Sequence, residues 1–423
     1  MLGLKLGLNL GSFLSAAQNP LRIAAMQDFG HTGKANRSSL THAVIRWPYV
    51  LAGDHRTLAV ALNTFYRGIS SEVGLGNALN VIDMAIETPN GTICPVYFSG
   101  SRSVTLSSDE TLVESEEITA AQFGYSVLTD QMVICLKAHL SVDTAGHNMP
   151  YSSRNTFSDS NLYSQVSWFD DSATTITDTD VAGKYTVVSG TAFNNYQYGF
   201  NPVLIGRPVV DRPSFLTNGD SIAERKNDNI ANIYTRGGIF NNAMCQPDFT
   251  QGHAHINFAL SSSKYAAAGG YRWAEYCKYV RFGIDEYGTN DMTVASLAGL
   301  KTAGLNIWNK MREKGCEAVI RTKFLPLTNS TDNWTTAGNQ TKTTEFQTGG
   351  KADLLNDFYE TSLTSGDIDY LVDFNDLRDP SDFWLWGTDG VTAQLMASDS
   401  THPSPNGCQV GAAELRLLID ALE

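Results

Sequence analysis

The N-terminal part of the chain consists of short apolar runs separated by turn residues, without helical periodicity between them. An Asn-Gly pair at 90–91 lies between two of these runs, and such a pair indicates a hairpin because both positions accept positive φ. The pattern predicts an antiparallel β-sandwich of the jelly-roll type, with long polar loops and two further strands over 150–200. The predicted strands are at 42–50, 58–66, 81–87, 92–98, 104–106, 125–128 and 132–142.

After Pro213 the pattern changes, and predicted strands alternate with predicted helices. This alternation predicts a parallel sheet that is covered by helices on both faces, which is an α/β fold. Residues 328–350 are expected to form a polar insertion. The strands are predicted at 214–216, 280–284, 317–325 and 369–374, and the helices at 261–280, 297–311 and 412–422.

The first residues alternate leucine with glycine, lysine and asparagine, which is the period of a strand. A cleaved signal peptide has a denser apolar stretch, so we expect an uncleaved extended arm. The predicted division is an arm over 1–38, a β-sandwich domain over 39–205 and a catalytic domain over 206–423. All candidate motifs lie in the last of these, and we expect it to fold on its own.

Composition narrows the functional classes. The chain has 423 residues, with 30 Lys and Arg against 44 Asp and Glu, a formal net charge of −14. This charge argues against binding to nucleic acid or to an anionic membrane surface. No apolar run reaches the roughly 18 residues of a membrane-spanning helix. The cysteines are scattered, which favours buried free thiols and leaves one or two disulfides as the alternative. They are Cys94, Cys135, Cys245, Cys277, Cys316 and Cys408.

Three short motifs follow predicted strands or precede a predicted helix in the C-terminal half. They are Gly-Asp-Ser at 219–221, Gly-Thr-Asn-Asp at 288–291 and Asp-Ser-Thr-His-Pro at 399–403. Open α/β sheets bind their ligands at the carboxyl ends of the strands, so the three motifs are expected at one edge. The histidines at 253 and 255 could bind a metal, but they lack a third ligand at a defined spacing. The paired carboxylates at 285–286 could belong to a glycosidase site, but nothing else in the sequence supports one.

The side chains in these motifs suit nucleophilic acyl transfer. Such a site needs a nucleophile, a base, a carboxylate that orients the base, and donors for the oxyanion. Ser221 is the predicted nucleophile, at a turn that opens a helix. His402 is the predicted base and Asp399 the acid that orients it. The Asn290 side-chain amide and the Ser221 N–H are predicted oxyanion donors.

Together the three motifs resemble the blocks of the SGNH hydrolases, also called GDSL esterases, over about residues 213–423. The resemblance implies a flavodoxin-like three-layer domain and a Ser221-His402-Asp399 triad that uses no metal or organic cofactor. It also implies an oxyanion donor from a second glycine block. Gly238 fits that block best, with Gly237 as the alternative, because the asparagine usual upstream is absent.

The resulting hypothesis is a serine esterase that removes acyl groups, mainly O-acetyl groups, from a carbohydrate or a small ester. The β-rich half and the polar loops favour an extracellular or virion-surface location. The main alternative is a structural or adhesion component of a phage virion, which could carry the same deacetylase and assemble or oligomerise through the N-terminal arm. A lipase-like short-chain esterase is a third hypothesis, and the polar insertion at 328–350 argues against it.

Overall fold

The computed structural model describes residues 19–28, 33–36, 41–151, 165–169, 175–176, 178–185, 187–188, 193–194, 200, 202–228, 237–245, 252–388 and 395–423. The α-helices in these residues are α1 (Ile239–Met244), α2 (Tyr265–Ala268), α3 (Leu297–Glu313), α4 (Lys351–Ser365) and α5 (Pro405–Ala421). No helix in this part of the chain has both the length and the apolar character of a membrane span.

The N-terminal half is built mainly from strands. They are β1 (Arg22–Ile23), β2 (Met26–Asp28), β3 (Gly33–Asn36), β4 (His42–Val50), β5 (His55–Leu62), β6 (Phe65–Arg67), β7 (Glu72–Gly74), β8 (Leu79–Glu87), β9 (Ile93–Pro95), β10 (Val104–Leu106), β11 (Val113–Glu114), β12 (Ile118–Thr119), β13 (Val133–Ser141), β14 (Asn148–Tyr151), β15 (Gln165–Phe169), β16 (Thr175–Ile176), β17 (Val187–Val188), β18 (Phe193–Asn194) and β19 (Val203–Pro208). Most of the loop region predicted over 150–200 lies outside the described residues.

Most of these strands form two antiparallel sheets. One has the order β1-β19-β5-β11, with β12 also paired to β5, and the other has the order β10-β8-β13-β4-β15-β18, with β9 on β8. Side chains alternate between the two faces of a strand. Leu58, Val60 and Leu62 of β5 therefore point to one side, where they share a buried cluster with side chains of β4, β8 and β13.

The predicted hairpin at Asn90-Gly91 is confirmed, because β8 and β9 pair antiparallel across it and Gly91 has a φ of 83°. The strand predicted at 125–128 is wrong. Leu128 makes only an isolated bridge to His55. Gly124 and Gln131 have φ values of 81° and 63°. The chain therefore turns on both sides of the segment, which does not form a strand.

The C-terminal half contains the remaining strands. They are β20 (Ser214–Asn218), β21 (Ala254–Asn257), β22 (Phe282–Asp285), β23 (Ala318–Thr322), β24 (Thr328–Ser330), β25 (Gln340–Lys342), β26 (Tyr370–Val372), β27 (Arg378–Asp379) and β28 (Asp382–Trp386). The helix predicted over 261–280 is broken into α2 and a 3₁₀ helix at Arg272–Tyr279. Two glycines at 269–270 and a positive φ at Tyr271 separate them.

Six strands form a parallel sheet in the order β2-β21-β20-β22-β23-β26. Counted from β20, the five strands of the C-terminal half follow the order 2-1-3-4-5, which is flavodoxin-like. Helices α3 and α4 pack on the face that includes Leu216 and Val319. Helices α1 and α5 pack on the face that includes Phe215 and Ile320. This half is therefore an α/β unit with helices on both faces of its sheet, as predicted.

Part of the predicted N-terminal arm is built into both halves. β1 pairs antiparallel with β19, and β2 pairs parallel with β21 at the edge of the parallel sheet. Ile23, Ala24 and Ala25 are fully buried. Residues 22–28, which the predicted division assigns to the arm, thus bury apolar side chains and pair with two sheets. Residues 1–18 lie outside the described residues.

The two halves share one hydrophobic cluster, which the predicted division into independent domains did not anticipate. The cluster combines side chains of β5 and β19 with side chains of β20, β21 and the 3₁₀ helix: Ala59, Ala61, Val203, Ile205, Leu216, Ile256 and Tyr276. The face of β5 opposite Leu58 and Val60 therefore covers the C-terminal half. The six cysteines are all buried and unpaired, as the sequence predicted.

A protein truncated to residues 206–423 is expected to aggregate or to lose cooperative unfolding, because it lacks β2 and exposes the shared cluster. Exposing each large apolar side chain costs about 1.5–3 kcal/mol, against a total stability of about 5–15 kcal/mol. Size-exclusion chromatography and thermal melts of the truncated and full chains measure this. A monomeric fragment with a sharp melt would show that the C-terminal half folds without the shared cluster.

Candidate active site

The loop that carries Ser221 begins at the carboxyl end of β20, in the middle of the parallel sheet. A Cβ atom on Gly219 would lie 2.5 Å from Glu286 Oε2 and 2.7 Å from Ala223 Cβ, so only glycine fits there. The next residue, Asp220, donates its backbone N–H to Glu286 Oε2 over 2.9 Å. Ser221 is thereby held next to the carboxyl ends of the parallel strands, with 5% of its surface exposed.

The residues after Ser221 form irregular turns, where the sequence predicted a helix. The N–H of Lys226 donates to the carbonyl of Ser221 over 3.0 Å, a longer-range bond than the i→i−4 bond of a helix. Arg225 and Asn227 have φ values of 83° and 69°, and a right-handed helix cannot continue through such residues. The prediction that Ser221 opens a regular helix is therefore wrong for residues 221–228.

His402 lies between Ser221 and Asp399. Its Nε2 atom is 2.6 Å from Ser221 Oγ, and its Nδ1 atom is 2.7 Å from Asp399 Oδ2. This is the arrangement in which an imidazole takes the proton of a serine while a carboxylate fixes its tautomer. The structure thus brings together the three side chains that the sequence proposed as nucleophile, base and acid.

Asp399 is surrounded by hydrogen-bond donors. Oδ1 accepts the backbone N–H groups of Thr401 and His402 over 3.1 Å and 3.0 Å, and Oδ2 also accepts the Asn227 amide over 2.5 Å. Partial burial alone would raise the pKa of Asp399, but the bonds from His402, Thr401 and Asn227 outweigh it and lower the pKa to about 2. The carboxylate is therefore ionised at neutral pH.

Local sequence explains how the His402 loop is presented. The N–H of Ala397 donates to the carbonyl of His402 over 2.9 Å and closes the loop. Ser404 then caps α5, because its side chain accepts a backbone N–H from the first turn. Pro405 occupies the first turn, where its missing N–H costs nothing. His402 is thus fixed just before a well-capped helix.

Asn290 lies in the loop after β22, the strand next to β20. Its Nδ2 atom donates to the carbonyl of Ser263 over 3.1 Å, and the Ser263 hydroxyl donates to the carbonyl of Gly219 over 3.1 Å. A side-chain amide has two N–H groups, so Asn290 keeps a donor for a further acceptor.

Gly238 immediately precedes α1 and lies against the turns that follow Ser221. It has a φ of 80°, and a Cβ atom there would be 2.5 Å from Arg225 Cβ. Its N–H donates to Asp228 Oδ2 over 2.7 Å. The predicted oxyanion donor is therefore already engaged with a carboxylate. Gly237, the alternative, has a φ of 73°.

No protein-family model matches the sequence, and curated proteins give no match. Among solved structures, a putative GDSL-family lipolytic protein from Desulfitobacterium hafniense is 12% identical, with a TM-score of 0.36, over 49% of this chain and 99% of that one. A lipase/acylhydrolase from Enterococcus faecalis is 15% identical, with a TM-score of 0.34, over 50% and 97%. Each of these two structures is similar to about half of this chain.

A third structure is similar over more of the chain. A salicylyl-acyltransferase from a tetracycline biosynthetic pathway is 13% identical, with a TM-score of 0.36, over 90% of this chain and 81% of that one. The SGNH-like motifs themselves all lie in residues 206–423, which we call the SGNH-like half.

A loop of the SGNH-like half that none of the sequence motifs indicated lies beside the loop that carries Ser221. After β21, the N–H of Leu260 donates to the carbonyl of Gly219 over 3.2 Å. Ser262 follows in an exposed turn with a φ of 63°. Within the described residues, the backbone N–H groups of Ser221 and Ser262 have no protein acceptor. The alternating residues at 254–258 would have indicated β21 and hence this loop.

The carboxylates at 285–286 are buried and have structural partners. Asp285 accepts a hydrogen bond from Trp308 Nε1 over 2.8 Å, and Glu286 accepts the backbone N–H of Asp220. Burial raises the pKa of Asp220 to about 7 and the pKa of Glu286 well above its ordinary value. The carboxylates at 285–286 therefore stabilise the core next to the Ser221 loop. They do not face each other across a cleft, as the two acids of a glycosidase would.

Proposed function

We propose that this protein is a serine esterase that removes O-acetyl groups from a carbohydrate. The observation that carries the proposal is the continuous contact from Asp399 through His402 to Ser221, with distances of 2.7 Å and 2.6 Å. A histidine between a serine hydroxyl and an ionised carboxylate is a device for making the hydroxyl nucleophilic.

In the proposed reaction, His402 Nε2 takes the Ser221 proton while Oγ bonds to the ester carbonyl carbon. The tetrahedral intermediate collapses, the bond to the alcohol oxygen breaks, and His402 donates its proton to that oxygen. Water then attacks the acyl-enzyme with His402 again as base, which releases acetate and restores Ser221. Asp399 holds His402 throughout in the tautomer that has a proton on Nδ1.

The oxyanion needs donors that are already oriented before the reaction. We assign them to the Ser221 N–H, the second amide N–H of Asn290 and the Ser262 N–H. Ser262 is a better candidate than Gly238, because the Gly238 N–H is bonded to Asp228. The loops of Ser262 and Asn290 are tied to each other and to Gly219 through Ser263.

The choice of an acetyl ester is supported by the limited access to Ser221, which is 5% exposed. A short acyl group reaches such a hydroxyl more readily than a long chain. The choice of a carbohydrate is supported by the polar, tyrosine-containing sequence over 150–200 and by the acidic net charge of −14. We further propose that the two antiparallel sheets form a jelly-roll-like sandwich that holds the polymer, outside the cell or on a virion surface.

An acyl-release screen tests this function. Purified protein is incubated with p-nitrophenyl esters from acetate to palmitate and with O-acetylated glycans, and a fluorophosphonate probe is used to label the nucleophile. Acetate release and a probe adduct on the peptide that contains Ser221 support the proposal. Preference for palmitate would favour a lipase, and an inert protein without adduct would favour a structural virion component.

Replacing Asn290 with alanine is expected to lower kcat by about 10²–10³-fold with little change in KM, because oxyanion donors act mainly in the transition state. Steady-state kinetics with p-nitrophenyl acetate measure both constants. Thr289→Ala, at the neighbouring position of the same motif, is the matched control and should stay near wild type. A change confined to KM would assign Asn290 to substrate binding.

A further inference from the structure

A single arginine from the N-terminal half reaches the strand ends that carry the candidate active site. Arg67 is the last residue of β6, which pairs with β7 as a small hairpin outside the two large antiparallel sheets. Its surface is only 1% exposed. Nη1 donates to Asn218 Oδ1 over 2.8 Å, and Nη2 donates to the hydroxyl of Tyr287.

The two acceptors of Arg67 lie directly before two of the candidate motifs. Asn218 is the last residue of β20 and directly precedes the Gly-Asp-Ser motif at 219–221. Tyr287 directly precedes the motif at 288–291, which contains Asn290. The Tyr287 hydroxyl also forms a hydrogen bond with the Ser263 side chain. The Ser263 hydroxyl in turn donates to the carbonyl of Gly219, the residue before Asp220. One guanidinium thus connects the ends of two neighbouring strands, one with the nucleophile and one with a proposed oxyanion donor.

The hairpin that delivers Arg67 is itself anchored to the SGNH-like half. Glu72 of β7 accepts the backbone N–H groups of Arg272 and Trp273 over 2.7 Å and 3.0 Å. A Cβ atom on Gly270 would lie 2.7 Å from Glu72 Oε2, so the approach is close. These contacts fix the hairpin, and with it the position of the Arg67 side chain.

We propose that Arg67 is a positioning residue of the active site, through which the N-terminal half sets the distance between the Ser221 loop and the Asn290 loop. This inference rests on the proposed esterase function. Arg67 does not contact the reacting atoms, so its effect passes through Asn218 and Tyr287. A misplacement of about 1 Å can cost about 10²-fold in rate, which makes such a bridge consequential.

The planar fork of arginine is essential to this role. Its two terminal nitrogens bond two acceptors at once, whereas the ammonium of lysine is a single compact charge. Arg67→Met, which removes charge and fork, is therefore expected to lower kcat for p-nitrophenyl acetate by about 10²-fold with little change in KM. Arg67→Lys, which keeps the charge, is expected to stay about tenfold below wild type, because it cannot hold both strand ends.

Two matched variants separate positioning from stability. Arg102→Met removes another arginine of the N-terminal half, whose partners are Asp83 and Asp180. Phe65→Leu perturbs the shared cluster two residues before Arg67 without removing the bridge. For every variant, kcat, KM, the melting temperature and the rate of fluorophosphonate labelling are measured on the full-length protein. Tyr287→Phe removes one arm of the bridge and serves if Arg67→Met does not fold.

The inference is supported if kcat and the labelling rate fall together in Arg67→Met or Tyr287→Phe while both controls keep near wild-type rates. It is overturned if Phe65→Leu loses as much kcat at an equal drop in melting temperature. Full activity in Arg67→Lys would also overturn it, because charge alone would then suffice. A wild-type protein that neither hydrolyses esters nor takes the probe would instead refute the esterase function, and with it the inference.

Discussion

Replacing Ser221 with alanine is expected to lower kcat for p-nitrophenyl acetate by about 10⁴-fold or more, because the proposed acyl-enzyme forms on the Ser221 hydroxyl. The Ser221 Oγ atom contacts His402 Nε2 at 2.6 Å, and the proposed reaction begins with transfer of its proton to that nitrogen. Residual hydrolysis would come from the oxyanion donors and from water activated by His402. Steady-state kinetics and probe labelling measure the loss, and the probe adduct should disappear.

The fold should survive this replacement. The Ser221 loop is held by backbone bonds, among them the N–H of Lys226 to the carbonyl of Ser221, and alanine keeps them. Circular dichroism and melting temperature should therefore match the wild type. Ser103→Ala, at an exposed serine of the N-terminal half, is the control and should keep full activity. If Ser221→Ala retained most of its activity, the serine mechanism would be excluded.

The candidate triad could be predicted from sequence because its constraints are local. Asp399 and His402 are three residues apart, and the Asp399 carboxylate bonds the loop backbone as well as the imidazole. The helix predicted at 412–422 begins earlier in the structure, at Pro405, directly after the Ser404 cap. Parallel strands bring their carboxyl ends to one edge, so motifs at strand ends meet even when about 180 residues separate them.

Contacts between residues that are far apart in the sequence could not be predicted from local patterns. Nothing near residues 26–28 indicates that β2 joins a parallel sheet whose neighbouring strand, β21, is more than 200 residues away. Arg67 likewise looks like a turn residue, because it precedes Gly68. Its partners Asn218 and Tyr287 are distant in sequence, so no local pattern indicates these contacts. Such contacts depend on how the two halves pack, and local propensity carries no information about that.

The second oxyanion block shows a different failure. The resemblance implies a glycine in this block, and Gly238 is the glycine that fits it best. The structure has a positive φ at Ser262, a non-glycine residue, in the loop after β21. β21 lies directly beside β20, so its loop borders Ser221. Strand order, rather than residue type, therefore leads to Ser262 as the proposed donor.

Replacing Asp399 with asparagine is expected to lower kcat by about 10⁴-fold while KM changes little. The local hydrogen bonds explain why. Oδ1 accepts two backbone N–H groups, from Thr401 and His402, so the asparagine must place its carbonyl oxygen there. Its amide nitrogen then faces His402 Nδ1 and the donor amide of Asn227. Nδ1 becomes an acceptor, Nε2 carries the proton, and the imidazole can no longer take the Ser221 proton.

Kinetics combined with ¹⁵N NMR of the imidazole tests this, since the two tautomers are distinguishable. Asn227→Ala is the matched control, because it removes one donor to Asp399 and keeps the carboxylate; a loss of about tenfold or less is expected. The pKa of Asp399 is lowered to about 2, so Asp399 stabilises the fold fully above its ordinary pKa and loses this effect only as the pH falls toward 2. Loss of activity between pH 5 and 7 therefore cannot come from protonation of Asp399. An Asp399→Asn protein within tenfold of wild type, or one with Nδ1 still protonated, would remove Asp399 from the triad.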